Sequence, residues 1–263
     1  MKFPRIPVIP IILAVLVQAM AAHSAVLEFD IYYGIGFPDF SFSNAPLALS
    51  VYPWKNFGLS SGLEYSMRKK IKSHENVEAS MNIIDNDGDD LVFKYHIDKY
   101  SEELSTQLLQ IPVLLKFRSS YFYAGAGVKI GIPQNVKVNM SYKGLKTDGY
   151  LPELDAHLHD LPGLGFIVQQ DSSYETKIKA KTLFMLALES GVRIKLNKNF
   201  ALLFGAFADY ALNKGFNRNL PNTVEWVEYI NEASVNVSDG WKEWQPWSVG
   251  GVAKLSFIFG GKE

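Results

Sequence analysis

Residues 184–196 read FMLALESGVRIKL, and apolar and polar or small residues alternate along almost the whole stretch. Glu189 and Arg193 share one face of this segment with small residues, whereas the opposite face carries no charge. A period of two is that of a β-strand. The polar residues 197–199 lead into a second alternating run at 202–210. The stretch therefore predicts an antiparallel hairpin with one charged face and one apolar face.

The same alternation recurs in eight segments, most of them close to the roughly ten residues that a tilted strand needs to cross a bilayer. The eight predicted strands are 27–34, 47–52, 57–68, 109–118, 122–130, 184–196, 202–210 and 247–259. Short turns alternate along the chain with longer connections, the first of which is predicted at 35–46. Tight periplasmic turns opposite long external loops are typical of outer-membrane barrels. The sequence therefore predicts an all-β protein: an eight-stranded antiparallel transmembrane β-barrel.

The cost of charge in lipid decides which face of these strands points outward. A basic side chain facing the bilayer midplane costs about 2–4 kcal/mol, so the nearly charge-free face is expected outside. Five acids and four bases are then expected to pair in the lumen, because an unpartnered buried charge is expensive. This lumenal charge network comprises Glu28, Asp30, Glu64, Lys116, Lys129, Glu189, Arg193, Asp209 and Lys254. Side chains fill a barrel of eight strands, so we expect a plugged lumen, with a narrow channel as the alternative.

The first 24 residues have the pattern of a secretory signal peptide. Lys2 and Arg5 precede an apolar run that ends in small residues, and cleavage is expected after Ser24. An uncleaved membrane anchor is the alternative. Residues 25–263 are expected to form a single barrel domain. We therefore expect a monomer in the outer membrane of a Gram-negative-type envelope, in contact with the bilayer and lipopolysaccharide.

Composition excludes several classes of protein. The 263 residues carry a formal net charge of −1, which argues against a nucleic-acid binder. The chain has no cysteine, so disulfide scaffolds, thiolate metal sites, thiol nucleophiles and lipoprotein anchoring are all excluded. No cofactor is expected.

The two central predicted strands carry a recognisable motif. Gln107-Leu-Leu-Gln-Ile-Pro-Val-Leu-Leu-Lys-Phe117, followed by Tyr121-Phe-Tyr-Ala-Gly-Ala-Gly-Val128, resembles the PorT-like outer-membrane β-barrel family of Bacteroidetes-type bacteria. Residues 191–200 and 210–213 are similar to that family's penultimate hairpin and to the end of its strand seven. The resemblance implies a barrel in the outer membrane, and it accounts for Pro112, where we expect a local distortion. The family includes a secretion accessory and many members without known activity, so the resemblance implies little about function.

The polar connections carry the residues that could form a metal or catalytic site. The four histidines after residue 24 are all expected in external loops: His74, His96, His157 and His159. His157 and His159 reach one zinc or copper ion only from an extended backbone, whereas leucines at helical spacing around them favour a short helix. In Asp85-Asn-Asp-Gly-Asp-Asp90, Gly88 comes too early for a calcium loop, and Asp87-Gly88 is typical of a hairpin turn. We therefore expect no metal site and no enzyme; a hydrolase built from loop His and Asp residues is one alternative.

The last long connection is rich in aromatic residues. Asn222-Thr-Val-Glu225 has the pattern of a capping box and predicts a short helix. The apolar side chains beyond it form either a lid over the barrel or a contact surface for a partner, glycan or lipid headgroup. This candidate contact surface comprises Trp226, Val227, Ile230, Trp241 and Trp244. The predicted function is a structural or interaction role through surface loops, in adhesion, binding or assistance to an envelope or secretion complex, with transport as the alternative.

Overall fold

The structure is a computed structural model that describes residues 26–38, 40–84, 88–217, 223–225, 234–236 and 243–260. The signal peptide predicted at 1–24 and the turn residues 85–87 lie outside the described residues. Within them, β-strands predominate and helix is limited to two short 3-10 turns. None of the described helices is long and apolar enough to cross a membrane.

Eight strands among the described residues close into an antiparallel ring. These barrel strands are β1 (Val26–Phe37), β2 (Phe40–Tyr52), β3 (Phe57–Ile84), β4 (Asp90–Arg118), β5 (Phe122–Leu151), β6 (Leu183–Lys195), β7 (Phe200–Ala211) and β8 (Trp247–Phe259). Each strand pairs with the next one along the chain, and β8 pairs with β1 to complete the ring. The prediction of an eight-stranded antiparallel barrel is confirmed.

The two ends of the barrel differ in length and composition. One end, the turn end, holds the short turns 53–56, 119–121 and 196–199, together with Val26 and Gly260. At the opposite end, the projecting end, β3, β4 and β5 continue beyond the other strands. They have 28, 29 and 30 residues, whereas the remaining five strands have 12 or 13. A long sheet therefore extends from one side of a short barrel.

This projecting sheet replaces much of what was predicted as long loops. β3 and β4 pair in one register from Phe57 with Phe117 to Ile84 with Asp90. The long connection predicted at 35–46 is also wrong, since β1 and β2 are joined only by residues 38–39. The strands continue because the alternation of buried and exposed side chains, and the ladder that satisfies the backbone, both continue outward.

Shorter elements lie at the projecting end. Two short strands, Ala156–Leu158 and Gln170–Lys177, pair with β5. Two small separate sheets are formed by the pairing of Phe216–Asn217 with Glu243–Trp244 and of Thr223–Glu225 with Ser234–Asn236. The 3-10 turns are Pro152–Leu154 and Pro162–Leu164. The start of the helix predicted from the capping-box pattern is wrong, because the β-branched residues Thr223 and Val224 form a strand, which such residues favour. The residues predicted to continue that helix, 226–230, lie outside the described residues.

Pro112 lies in the middle of β4, as the sequence predicted. Ser61 pairs with Val113 on one side of it, and Glu64 pairs with Gln110 on the other, in the same register. Between these pairs the ladder to β3 is interrupted, as expected for a residue without an N–H group. The distortion is therefore local and does not end the strand.

The outer wall of the barrel is an apolar belt. It contains exposed aliphatic and aromatic side chains from all eight strands, among them Ile31, Leu47, Leu63, Leu115, Val128, Leu188, Phe204 and Val249. Trp247 pairs with Tyr210 at its projecting edge, and Phe57 with Phe117 at its turn-end edge. On β3 the belt ends at Lys69, beyond which the exposed face becomes mainly polar.

Candidate functional site

The structure places all nine residues of the lumenal charge network on the interior face of the strands, where eight are buried and the side chain of Glu189 is 11% exposed. They alternate along the strands with the exposed residues of the belt, and the alternation in the sequence therefore predicted that they face the interior. They form three layers, which we call lower, middle and upper, counted from the turn end. Each layer contains residues from several strands.

The lower layer is built on Glu28. Arg193 Nη2 donates a hydrogen bond to Glu28 Oε1 at 2.7 Å, and Arg118 donates to the same oxygen. The Arg118 guanidinium also lies over the ring of Tyr52, 3.8 Å from its centroid. Arg118 was not predicted as a member of the network because it is the last residue of its strand. It lies two residues after Lys116 and therefore on the same face of β4.

The middle layer is built on Glu189. Its Oε2 accepts a hydrogen bond from Lys254 Nζ at 2.6 Å, and its Oε1 accepts one from Lys116. A methyl group on Gly125 would lie 2.9 Å from Glu189 Cγ, so the glycine makes room for this ion pair. Asp30, beside them, accepts a hydrogen bond from the hydroxyl of Ser256. One carboxylate therefore pairs with two buried ammonium groups.

The upper layer is built on Lys129. Its Nζ lies 3.0 Å from Glu64 Oε2 and 3.0 Å from Asp209 Oδ2. Tyr32 Oη donates to Glu64 Oε2 at 2.5 Å, and Arg68 Nη2 lies 3.9 Å from Asp209 Oδ2. The sequence analysis also missed Tyr32 and Arg68, although both share the parity of lumenal residues on their strands.

Little space remains between the layers. A cavity of about 20 Å³ lies beside Tyr32, Ser43 and Phe207, which is on the scale of one water molecule. The interior of the barrel at this level is therefore filled by its own side chains.

A hydrophobic plug closes the interior on the projecting side. Its buried members are Leu104, Leu108, Val136, Val138, Met140, Leu183, Met185, Ala211, Phe216 and Trp244. Trp244 is only 5% exposed and stacks on Phe216, with ring centroids 6.0 Å apart. Trp244 is therefore part of the interior packing, which fits the lid alternative for this connection and not an exposed contact surface. The other members of that candidate contact surface, Trp226, Val227, Ile230 and Trp241, lie outside the described residues.

The projecting sheet has its own apolar core. A second cluster on one of its faces comprises Leu91, Phe93, Tyr95, Ile97, Tyr100, Tyr142, Leu145 and Phe166. The last residue of β3 that pairs with β2 is Lys69. From there to Ile84, β3 pairs only with β4 among the described residues, and most of its side chains are exposed. The sheet therefore ends in a long strand edge.

The candidate metal-binding histidines have separate partners. The ring of His157 lies over Tyr150, with centroids 4.8 Å apart, whereas His159 Nδ1 is hydrogen-bonded to Asp148. This hydrogen bond and the negative charge of Asp148 raise the pKa of His159 above its usual value of 6.5. His74 and His96 lie on projecting strands, not in loops. No group of three or more His, Asp or Glu side chains that could hold a metal occurs within the described part of the chain.

Comparisons with known proteins give no family. No family model matches the chain, and no curated protein matches it. Among solved structures, Neisserial surface protein A is 10% identical over 89% of this chain and 97% of that one, with a TM-score of 0.28. Ail, the attachment invasion locus protein of Yersinia pestis, is 9% identical over 90% and 97%, with a TM-score of 0.23. A Pseudomonas aeruginosa FadL homologue is 8% identical over 90% of each chain, with a TM-score of 0.18.

Proposed function

We propose that the chain is an integral outer-membrane barrel with a closed lumen, which binds a protein partner outside the cell through its projecting sheet. The observation that carries this proposal is the contrast between a filled interior and a long, exposed strand edge. The resemblance of residues 107–128 to PorT-like barrels supports a role as an envelope or secretion accessory.

The outer wall supports the membrane location. An apolar belt surrounds a closed ring of strands, and at the level of the belt the charged side chains point into the lumen, as a barrel in lipid requires. Strands of 12 or 13 residues are long enough to cross the hydrocarbon core when tilted. The turn end then faces the periplasm, and the projecting end faces outward. The closed ring supports a monomer, since it leaves no strand edge within the membrane.

The interior argues against transport. The three charged layers and the hydrophobic plug occupy successive levels of the lumen, and the void between two of the layers is about 20 Å³. Opening a pore would require separating ion pairs that are buried, which is costly. A role that uses the surface of the barrel is therefore better supported than one that uses its centre.

We expect the purified protein to show no steady conductance in planar lipid bilayers. The physical reason is that the buried ion pairs centred on Glu28, Glu189 and Lys129 would have to separate before water could pass through the lumen. A porin reconstituted into the same bilayers is the positive control. A reproducible conductance on the nanosiemens scale would favour the channel alternative and would contradict a closed lumen.

The free edge of β3 supports an extended polypeptide as partner. A strand at the edge of a sheet presents unpaired N–H and C=O groups, which a second chain can extend by β-augmentation. Here the edge runs from Ser73 to Ile84, where β3 pairs only with β4 among the described residues, and it lies outside the proposed membrane. Lys70 and Lys72 come just before this edge and place positive charge at its start, which favours a specific partner over indiscriminate pairing.

Shortening this hairpin is expected to abolish capture of the partner. Replacing residues 76–98 by Asn-Gly joins Glu75 to Lys99, which already pair, through a two-residue turn. Crosslinking in intact cells, followed by mass spectrometry, measures the partner, and heat-modifiable gel migration checks that the barrel folds.

The matched control shortens the last connection, at 219–240, and keeps the hairpin. If capture survives loss of the hairpin but not loss of residues 219–240, the binding surface lies in the last connection and the proposal for the sheet edge is wrong.

A further inference from the structure

A second cavity opens at the turn end, on the side proposed to face the periplasm. Its volume is about 580 Å³. Two arginines form its floor and three exposed lysines its rim: Arg118, Arg193, Lys55, Lys195 and Lys198. No acidic residue lines it among the residues that the structure describes. The only carboxylate that contacts either arginine in the described residues is that of Glu28, so five cations face one anion.

These cations come from separate parts of the sequence. Lys55 lies in the turn between β2 and β3, Lys195 ends β6, and Lys198 lies in the turn between β6 and β7. Closure of the ring brings them around one opening. Like charges held together in this way repel each other and concentrate anions from solution. The convergence is therefore the electrostatic pattern of an anion-binding site.

Arg193 provides an independent sign of a ligand. Its side chain is nine-tenths buried or more, with the residue only 4% exposed, and it lines the cavity. Nη2 donates to Glu28, but Nε is buried and has no hydrogen-bond partner among the described residues. A buried guanidinium donor without an acceptor is uncommon in folded proteins. An oxygen of a bound anion would satisfy it.

We propose that this turn-end cavity binds a phosphate-bearing molecule. Arginine and lysine together are suited to phosphate, since the guanidinium fork pairs with two oxygens and ammonium groups neutralise the remaining charge. The surplus of positive charge favours a dianion over a single carboxylate. A volume of about 580 Å³ exceeds the need of a bare phosphate and accommodates a sugar or glycerol portion. The phosphate can belong to a lipid headgroup of the periplasmic leaflet or to a soluble phosphate ester.

Calorimetric titration with glycerol 3-phosphate tests the site, using the full mature chain in a zwitterionic detergent at low salt. We expect saturable binding, weakened about tenfold by the double variant Lys195→Gln/Lys198→Gln, because two of the cations that attract the phosphate are removed. The control Lys179→Gln/Lys181→Gln removes the same charge at the projecting end and is expected to bind as the wild type does. Absence of binding, or equal weakening by both double variants, would overturn the proposal.

A conservative variant tests the arginine without removing its charge. Arg193→Lys keeps the positive charge beside Glu28 but loses Nε, so we expect weaker binding of glycerol 3-phosphate by a folded barrel. Wild-type affinity in this variant would show that Arg193 has no part in binding. If Arg193→Lys fails to fold, the rim variants alone decide the matter, since their side chains are exposed.

Nanodiscs distinguish the two sources of phosphate. If the ligand is a lipid headgroup, glycerol 3-phosphate binds the protein in phosphatidylcholine discs but is displaced from discs that contain phosphatidic acid. If the ligand is a soluble ester, binding is the same in both kinds of disc. Both results support a phosphate site, and neither depends on the external partner proposed above.

Discussion

Replacing Glu189 with glutamine is expected to lower the free energy of unfolding of the barrel by about 3–5 kcal/mol. The change removes the anionic partner of a buried ion pair and leaves the cations uncompensated. Lys254 Nζ lies 2.6 Å from one carboxylate oxygen of Glu189, and Lys116 is bonded to the other. Without that carboxylate, two buried ammonium groups face each other in the middle layer. Urea titration of the protein folded into lipid vesicles, followed by tryptophan fluorescence, measures the loss.

Two further variants separate this effect from the loss of any ion pair. Glu175, whose side chain is 43% exposed, pairs with Lys137 at 2.7 Å on the projecting sheet, so Glu175→Gln is expected to cost at most about 1 kcal/mol. Adding Lys254→Met to Glu189→Gln removes one of the two ammonium groups that have lost this carboxylate, and it is expected to restore part of the stability. Equal losses for Glu175→Gln and Glu189→Gln would mean that the middle layer is hydrated and not buried.

The second large effect is expected on the opposite face of the same strand. Leu188 is 58% exposed in the middle of β6 and belongs to the apolar belt. Leu188→Arg places a charge near the bilayer midplane, and we expect it to lower the free energy of unfolding by about 2–4 kcal/mol. The same urea titration in vesicles measures it.

Leu196 provides a matched control for this substitution. It is 55% exposed, as Leu188 is, but it lies in the turn that follows β6. Leu196→Arg is expected to cost about 0–1 kcal/mol, because a charge near the interface reaches water. If the two arginine variants lose the same stability, depth in lipid has no effect, and the belt is not the surface that faces the membrane.

Much of the barrel could be predicted from a period of two. The alternation placed Glu189 and Arg193 in the lumen and Leu188 on the apolar outer wall. Alternation is informative here because a strand residue of a closed barrel lies either in the lumen or on the outer wall. The same logic located all nine members of the charge network without any knowledge of their partners.

The pairing within that network could not be predicted. Glu28 and Arg193 are separated by 165 positions in the chain, and their contact depends on the register of every strand between them. The extension of β3, β4 and β5 was missed for another reason. Water outside a membrane satisfies an exposed backbone, so the end of the apolar belt does not require the strands to end. The turn-end cavity could not be predicted for the first of these reasons, since Lys55 and Lys198 line one opening only after the ring has closed.

The seam between β1 and β8 has a consequence for how the molecule is made. It joins Leu27 to Phe259, near the two ends of the described chain, so it is the most non-local pairing in the ring. Contacts of this kind form slowly, because the entropy of closing the intervening chain is lost before the contacts compensate for it. A chain that stalls before the seam closes exposes two open edges that can template aggregation. The order of assembly, as much as the final stability, therefore decides whether this protein reaches its folded state.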